Sequence, residues 1–195
     1  MKYLKKKNIG ILGGTFDPPH LGHLRISNIA LRKLKLDEIW WIVSSSNPLK
    51  KIENITEFDK RFENSKRFVR GNKIWVSDIE KKLNTKFSIN VISYLQKKYS
   101  KKKFIWIMGV DNLKKFHLWK NWKEIISKVP IAIFDRPFYS LNILNNKSFS
   151  FYKNKRVNFL KAAIFKNLVP PCWIFLTGWS TSISSTKIKK KINEP

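Results

Sequence analysis

Short apolar, β-branched runs alternate with longer helical patterns along this chain, and that alternation limits the fold more than any other feature. Several of the runs are almost continuously apolar, which is typical of parallel strands covered on both faces. The runs predict strands at residues 8–12, 38–43, 73–77, 104–109, 130–135 and 173–176. The stretches between them repeat apolar residues at helical spacing and predict helices at residues 21–35, 57–69, 88–99, 119–127, 157–165 and 184–192.

Strands that alternate with helices predict βαβ units joined by right-handed crossovers. We therefore expect an α/β protein with a Rossmann-like, doubly wound parallel sheet and helices on both faces, formed by one domain over residues 1–195. Segment 138–154 carries no clear periodicity and is expected to be an irregular surface connection. Ligands of such sheets bind beyond the carboxyl ends of the strands, so the residues that follow each strand are the candidates for function.

The net charge of +27 is the most extreme compositional value of the chain. A charge of this size is compatible with binding to nucleic acid or to acidic lipid. Only seven of the 40 basic residues are arginine, however, and the lysines lie in short groups instead of along one helix face. The pattern favours a solvated lysine-rich surface, with no specific nucleic-acid partner, that still attracts phosphorylated metabolites.

The single cysteine, Cys172, excludes an intramolecular disulfide and argues against a cysteine-based metal site. No stretch approaches the roughly 18 apolar residues of a membrane span. The apolar run at residues 9–12 is too short for a signal peptide. We therefore expect a cytoplasmic protein without a membrane partner.

The densest cluster of special residues is the stretch GILGGTFDPPHLGH at residues 10–23. Gly13 and Gly14 follow the first predicted strand and are expected to turn the chain, leaving backbone N–H groups open to an anion. The stretch lacks the G-K-[ST] of a Walker A loop and the G-x-G-x-x-G of a dinucleotide fingerprint. His20 and His23 stand three residues apart at a predicted helix start, where they can face one ligand and where the helix dipole favours anions. An isolated pair of this kind is also compatible with structural histidines or a metal pair, but its place at the ligand-binding edge and the lack of a third metal ligand favour a phosphate.

Four blocks, in order along the chain, carry a resemblance to one family. They are GGTFDPPHLGH at residues 13–23, SSSNPLK at 44–50, WIMGVDNLKKFHLWKNWKEI at 106–125 and ISSTKIK at 183–189. With these blocks the chain resembles the HxGH nucleotidyltransferases, and among them bacterial nicotinate-nucleotide adenylyltransferase, over nearly its whole length. The resemblance implies transfer of an adenylyl group from ATP to nicotinate mononucleotide, giving deamido-NAD and pyrophosphate in NAD biosynthesis.

The resemblance also implies a role for particular residues. It implies catalytic roles for His20, His23 and Lys50. It implies ATP binding by ten residues: Gly13, Gly14, Thr15, Phe16, Gly109, Ile183, Ser184, Ser185, Thr186 and Lys189. The last five of these lie in a C-terminal phosphate-binding part at about 177–195. It implies binding of the mononucleotide by Phe87, Ser88, Asp111 and Trp119, whereas Trp122 is expected in the core. The chain departs from the family pattern where Lys189 replaces a frequent Arg and where Phe87, Asn90 and Val91 replace Tyr, Asp and Thr.

Mg²⁺ is the expected counter-ion of ATP, held by phosphates and water and not by a protein metal site. Two alternatives stay open at this point. The acceptor could be another phosphorylated metabolite, such as nicotinamide mononucleotide or phosphopantetheine, or the chain could be a basic RNA-binding protein. The sequence leaves the oligomeric state open between a monomer and a small homo-oligomer.

Overall fold

In the computed structural model, which describes residues 6–46, 55–69, 71, 73–135 and 147–177, seven strands form one parallel sheet. In chain order the strands are β1 Asn8–Gly14, β2 Glu38–Val43, β3 Ile74–Ser77, β4 Lys103–Gly109, β5 Ile131–Phe134, β6 Arg156–Val157 and β7 Trp173–Leu176. The apolar, β-branched runs of the sequence supply these strands, and each of the six predicted runs overlaps one of them.

Helices connect the strands. The α-helices are α1 Leu21–Lys33, α2 Phe58–Phe68, α3 Ile79–Lys82, α4 Ser88–Lys98, α5 Val110–Leu113, α6 Trp122–Lys128 and α7 Lys147–Phe151. Segments of 3₁₀ helix span Phe116–Leu118, Lys153–Lys155 and Phe159–Asn167. Within the described ranges, no helix has the length and apolarity needed to cross a membrane.

The strand order is β3-β2-β1-β4-β5-β7-β6, so the sheet grows from β1 in both directions. Leu12 of β1 pairs with Trp41 of β2 on one side and with Ile107 of β4 on the other. The point between β1 and β4, where the order reverses, is where doubly wound sheets bind ligands beyond the strand ends. The predicted Rossmann-like α/β fold is confirmed.

Two apolar layers cover the sheet, one on each face. On one face, Ile26 and Ile29 of α1 and Phe165 of the 3₁₀ segment Phe159–Asn167 belong to a core that includes Trp41. On the other face, α3, α4, α5 and α6 pack over Trp106 and its neighbours. Both faces of the central strands are therefore buried, which explains their continuously apolar sequences.

β1 runs two residues further than predicted, and this changes the structural role of two glycines. Gly13 and Gly14 were expected to form a turn, but they end β1, and neither has a positive φ. A Cβ on Gly13 would lie 3.1 Å from the Trp106 ring, and one on Gly14 would lie 3.3 Å from the Phe16 ring. The glycines make room for these two rings, and the turn follows at Phe16, whose φ is +47°.

The helix expected at residues 119–127 begins three residues later. Asn121 has a left-handed backbone, with φ at +54°, which an α-helix cannot include. Helix α6 therefore starts at Trp122, and Trp119 follows the 3₁₀ turn Phe116–Leu118 instead of lying within a helix.

The prediction for segment 138–154 was wrong in its described part. Residues 147–151 form α7, and the ring of Phe149 is only 1% exposed. That ring lies 4.8 Å from the Trp173 ring and 5.7 Å from the Phe116 ring, measured between centroids. A helix of five residues is too short to show the periodicity on which the prediction depended.

The α-helix expected at residues 157–165 was also wrong. The strand β6 precedes it, and Phe159–Asn167 is a 3₁₀ helix interrupted by the non-helical backbone of Lys161. The helix expected at residues 184–192 lies outside the described part of the chain, as does most of the C-terminal phosphate-binding part.

Lysine side chains lie over aromatic rings on several elements. The ammonium nitrogen is 4.5–5.4 Å from the ring centroid in the pairs Lys66 with Phe62, Lys81 with Phe58, Lys98 with Tyr94, Lys102 with Trp40 and Lys120 with Phe87. In such pairs the alkyl stem covers apolar surface while the charge stays in water. The lysines of these pairs lie on α2, α3 and α4 and in the turns before β4 and α6, so their charges are dispersed over the surface.

Phe149→Ala tests whether α7 is part of the core. The substitution leaves a cavity between two aromatic rings, and we expect the free energy of unfolding to fall by about 3–5 kcal/mol in a urea titration. Phe151→Ala is the matched control on the same helix, because Phe151 is 66% exposed, and it should change stability little. Equal losses in the two variants would contradict the packing described for α7.

Candidate active site

The loop between β1 and α1 lies at the carboxyl edge of the sheet, beside the point where the strand order reverses. Phe16 holds this loop in place, although its left-handed backbone is unfavourable for a residue with a Cβ. Its ring is 1% exposed and stacks on Trp41 at 4.7 Å between centroids, with 12° between the ring planes. Burial of this ring offsets the backbone strain and fixes the loop that follows the glycines.

His20 and His23 form one unit at the start of α1, as the spacing predicted. His20 is the N-cap residue: its Nδ1 accepts the Gly22 N–H at 3.1 Å, and its own N–H donates to Nδ1 of His23 at 3.2 Å. The two rings stack with their centroids 3.8 Å apart. Because both Nδ1 atoms accept hydrogen bonds, each neutral imidazole carries its proton on Nε2, as a donor.

A second set of bonds anchors the first turn of α1 to the sheet. The indole N–H of Trp41 donates to Ser27 Oγ at 2.8 Å, and that hydroxyl donates to the His23 carbonyl at 2.8 Å. The His23 ring also packs against Phe16, with 4.7 Å between ring centroids. The histidine pair is therefore held by the same aromatic cluster that holds the loop after β1.

Arg61 of α2 is 2% exposed, and its guanidinium lies beneath this loop. Its Nη1 donates to the carbonyls of Thr15, at 2.7 Å, and Ser44, at 3.0 Å, and its Nε donates to the carbonyl of Thr56 at 2.7 Å. Burial lowers the pKa of this guanidinium, and the carboxylates of Asp17 and Glu80 oppose that change. Arg61 thus ties together the ends of β1 and β2 and the start of α2.

Glu80 of α3 is another buried ionisable group near the ends of these strands, with 5% of its surface exposed. One of its carboxylate oxygens accepts the Ser45 N–H at 3.0 Å. Burial raises the pKa of this carboxyl to about 7, against the opposing effects of Ser45 and Arg61. The Ser45 hydroxyl donates to the Thr85 carbonyl at 2.8 Å, so the end of β2 also contacts the loop before α4.

A separate set of predicted residues follows β4, across the reversal point from the histidines. Gly109 ends β4, and Asp111 lies half-buried in the first turn of α5. Trp119 is half-buried, with its ring perpendicular to that of Trp106 at 6.0 Å between centroids. Trp106 also lies beside Gly13, so its indole ring contacts both Trp119 and the end of β1.

The loop before α4 contacts the Trp119 segment. Phe87 is the N-cap residue of α4, its N–H donates to Thr85 Oγ1 at 3.2 Å, and Ser88 begins the helix. The ammonium of Lys120 lies 4.5 Å from the centroid of the Phe87 ring. The structure thus places the Phe87 ring beside Lys120, the residue after Trp119.

Six predicted site residues cannot be located, because they lie outside the described ranges: Lys50, Ile183, Ser184, Ser185, Thr186 and Lys189. In the part of the chain that the structure describes, no group of three or more His, Cys, Asp or Glu side chains could hold a metal ion.

Sequence reasoning did not single out Arg61 or Glu80. A signal for Arg61 exists, because Phe58, Phe62 and Ser65 place position 61 on the same face of α2, and the face carrying Ser65 is buried. An arginine on the buried face of a helix in a lysine-rich chain indicates a group with fixed hydrogen-bond partners. No comparable pattern marks Glu80.

The fold and the site define a class of protein. A family model described as cytidylyltransferase-like matches residues 11–191, which include the first two blocks, the β4 block and the C-terminal block. Two curated relatives carry the name "Probable nicotinate-nucleotide adenylyltransferase". The one from Agrobacterium fabrum is 36% identical over 93% of this chain and 97% of the relative, and the one from a Bradyrhizobium species is 38% identical over 93% and 94%. The chain therefore belongs to the cytidylyltransferase-like nucleotidyltransferases and, within them, to the nicotinate-nucleotide adenylyltransferase family.

Solved structures agree on the fold. The Plasmodium falciparum nicotinic acid mononucleotide adenylyltransferase complexed with NaAD superposes with a TM-score of 0.69 and 19% identity, over 94% of this chain and 83% of that chain. A second structure of that protein, complexed with APC, gives a TM-score of 0.68 at 18% identity, with the same coverage. At these identities the likeness supports the architecture and not the detail of the site.

Glu80→Gln tests how far the buried carboxylate lowers the free energy of unfolding as the pH rises. A carboxyl whose pKa is raised from 4.5 to about 7 stabilises the fold fully only below pH 4.5, and this contribution is lost as the pH rises through 7. Gln stays neutral and can still accept the Ser45 N–H. From urea titrations, the unfolding free energy of Glu80→Gln relative to wild type should rise by up to about 3 kcal/mol over that interval.

Glu63→Gln, at an exposed position on α2, is the control for removal of one surface carboxylate. A difference between Glu80→Gln and wild type that stays constant from acidic to neutral pH would contradict the environment described for Glu80.

Proposed function

We propose that this chain transfers the adenylyl group of ATP to nicotinate mononucleotide, forming deamido-NAD and pyrophosphate in NAD biosynthesis. One observation carries the proposal: the histidine pair follows β1 and the Asp111–Trp119 segment follows β4, so both lie at the carboxyl edge of the sheet, on either side of the β1/β4 reversal point. Two substrates can approach one another there. The names of the curated relatives support the same reaction.

The reaction forms one P–O bond and breaks another. An oxygen of the mononucleotide phosphate attacks the α-phosphorus of ATP in line, and the bond from that phosphorus to the bridging oxygen of pyrophosphate breaks. The attacking phosphate is already ionised, so no base has to remove a proton. Catalysis of this kind depends on positioning and on stabilising the charge of the transition state.

The donors for the ATP phosphates come from the loop after β1 and from the start of α1. The Nε2–H groups of His20 and His23 would bind phosphate oxygens, with His23 at the α-phosphate. The backbone N–H groups of Gly14, Thr15 and Phe16, together with Gly13 and Gly109, would line the same site. Because the histidine Nδ1 atoms are already engaged, the orientation of both Nε2–H donors is set before ATP arrives.

Further charge and hydrogen bonds for ATP are assigned to residues outside the described ranges. Lys50 would bring a mobile positive charge to the phosphates. The stretch from Ile183 to Lys189 would bind the β- and γ-phosphates through Ser184, Ser185 and Thr186 and add one further charge. These assignments rest on the family resemblance.

The mononucleotide would occupy the side of β4. Asp111 would accept hydrogen bonds from ribose hydroxyls, and Trp119 would stack on the pyridine ring. Phe87 and Ser88 would lie at the ring carboxylate, where backbone N–H groups at the start of α4 favour an anion. The ammonium of Lys120 over the Phe87 ring adds positive charge on this side.

Mg²⁺ would enter with ATP. A magnesium ion keeps several waters and binds through phosphates with few or no protein ligands. When bound, the ion would neutralise charge on the triphosphate. We place the reaction in the cytoplasm, in line with a chain whose single cysteine, Cys172, can form no intramolecular disulfide.

Release of pyrophosphate from Mg-ATP tests the proposal directly. The purified chain should release pyrophosphate with nicotinate mononucleotide as acceptor, and deamido-NAD should form in equal amount. Nicotinamide mononucleotide and phosphopantetheine are the comparison acceptors, and faster turnover of either would move the acceptor assignment. No release with any acceptor would reject the adenylyl-transfer function.

His23→Ala should lower turnover by about a hundredfold or more, because one preorganised donor to the reacting phosphate is lost. Steady-state pyrophosphate release measures this effect. Asn28→Ala is the matched control, since Asn28 is an exposed position on the same helix. The far-ultraviolet circular dichroism of both variants should match that of wild type, and an unchanged turnover of His23→Ala would refute the role of His23.

Trp119→Ala should raise the KM for nicotinate mononucleotide about tenfold, from the loss of one stacking contact, and leave the KM for ATP nearly unchanged. Trp122→Ala is the comparison, because Trp122 packs against Phe116 and Tyr152 in the core. It should lower the melting temperature more than it changes either KM. The reverse pattern, with Trp122 controlling the acceptor KM, would contradict the assignment.

A further inference from the structure

We propose that Arg61 is a positioning residue for ATP: through the Thr15 carbonyl it fixes the direction of the backbone N–H donors in the loop after β1. The inference rests on the proposed function, because it assumes that this loop receives the phosphates. Arg61 lies in α2 and is 2% exposed, so it cannot itself be the group that contacts ATP in this arrangement.

The geometry of a single peptide plane carries the argument. The Thr15–Phe16 peptide is trans, so its carbonyl and its N–H point in opposite directions. Arg61 Nη1 holds the carbonyl at 2.7 Å, which turns the Phe16 N–H away from the guanidinium. In the described part of the chain that N–H donates to no acceptor, so it is available to an anion.

The guanidinium also fixes the surroundings of this peptide. The same Nη1 holds the Ser44 carbonyl, and Ser44 N–H donates to the Gly14 carbonyl at 2.8 Å, one residue before Thr15. Its Nε donates to the Thr56 carbonyl, and the Thr56 N–H donates to the carboxylate of Asp17 at 3.1 Å. Asp17 is the residue after Phe16. The loop is therefore tied on both sides of the Thr15–Phe16 peptide, and both ties pass through Arg61.

Only an arginine side chain suits this position. Its planar fork directs several N–H groups at fixed angles, whereas a lysine ammonium is a single point that cannot reach three separate carbonyls with the same geometry. Hydrogen bonds from a charged donor are stronger than neutral ones, and the dry surroundings strengthen them further. The nearby Asp17 and Glu80 carboxylates balance the buried charge.

The experiment compares Arg61→Ala, Arg61→Lys and Ser65→Ala with wild type. Ser65→Ala is the matched control, because the buried Ser65 hydroxyl donates to the Arg61 carbonyl within α2 and does not touch the guanidinium. For Arg61→Ala we expect kcat/KM for ATP to fall on the order of a hundredfold, as for loss of preorganised phosphate donors. The KM for nicotinate mononucleotide should stay near the wild-type value, and Ser65→Ala should preserve both constants.

Chemical rescue separates positioning from general destabilisation. Guanidinium chloride, at concentrations far below those that unfold the protein, should restore part of the ATP kcat/KM of Arg61→Ala, whereas sodium chloride at equal ionic strength should not. If Arg61→Ala does not fold, as judged by circular dichroism, Arg61→Lys carries the test. It keeps the charge, and it should show the same selective loss for ATP to a smaller degree.

Two results would overturn the inference: equal losses for both substrates in the folded Arg61 variant, or a loss that Ser65→Ala reproduces. A wild-type chain that releases no pyrophosphate would instead reject the proposed function. In that case calorimetric ATP binding to wild type and to the folded Arg61 variant still decides the role of Arg61. Weaker binding by the variant supports that role, and equal binding overturns it.

Discussion

All seven strands run parallel, and the rest of the structure depends on that constraint. A parallel sheet needs a crossover after every strand, so helices cover both faces and every strand leaves its carboxyl end at the same edge. Backbone groups in the connections at that edge have no neighbouring strand to pair with. The loops after β1, β2 and β4 meet there, which brings together segments that are nearly a hundred residues apart in the chain.

The proposed site combines imidazole donors held at the start of α1 with buried ionisable groups that bond to the backbone. His20 and His23 present imidazole N–H groups whose direction is set by the caps of α1. Arg61 and Glu80 lie beneath them and bond mainly to the backbone. Buried charged groups are usually paired with one another, and here they hold loops in place through carbonyl and N–H groups. Their hydrogen bonds therefore fix the loops that form the site.

The sequence predicted those features of the fold and site that depend on short-range patterns of residues. The strands, the sheet class and the His20–His23 unit could be predicted, because each depends on local spacing. The helix pattern could indicate that Arg61 is buried, but it could not give the partners Thr15, Ser44 and Thr56, which come from three connections whose paths depend on the tertiary fold. The turn was misplaced at Gly13 and Gly14 because their bare backbone accommodates the rings of Trp106 and Phe16, and no local pattern encodes such a contact.

The lysines that lie over aromatic rings bear on how a substrate arrives. Because these cations lie on separate helices and turns, their combined field attracts anions to a broad part of the described surface. Orientation is left to the short-range N–H donors at the strand ends, which act only on contact. The attraction of a substrate and its alignment are thus separate properties of the protein. Dissolved salt screens the attraction by the lysines, and it leaves the geometry of the N–H donors unchanged.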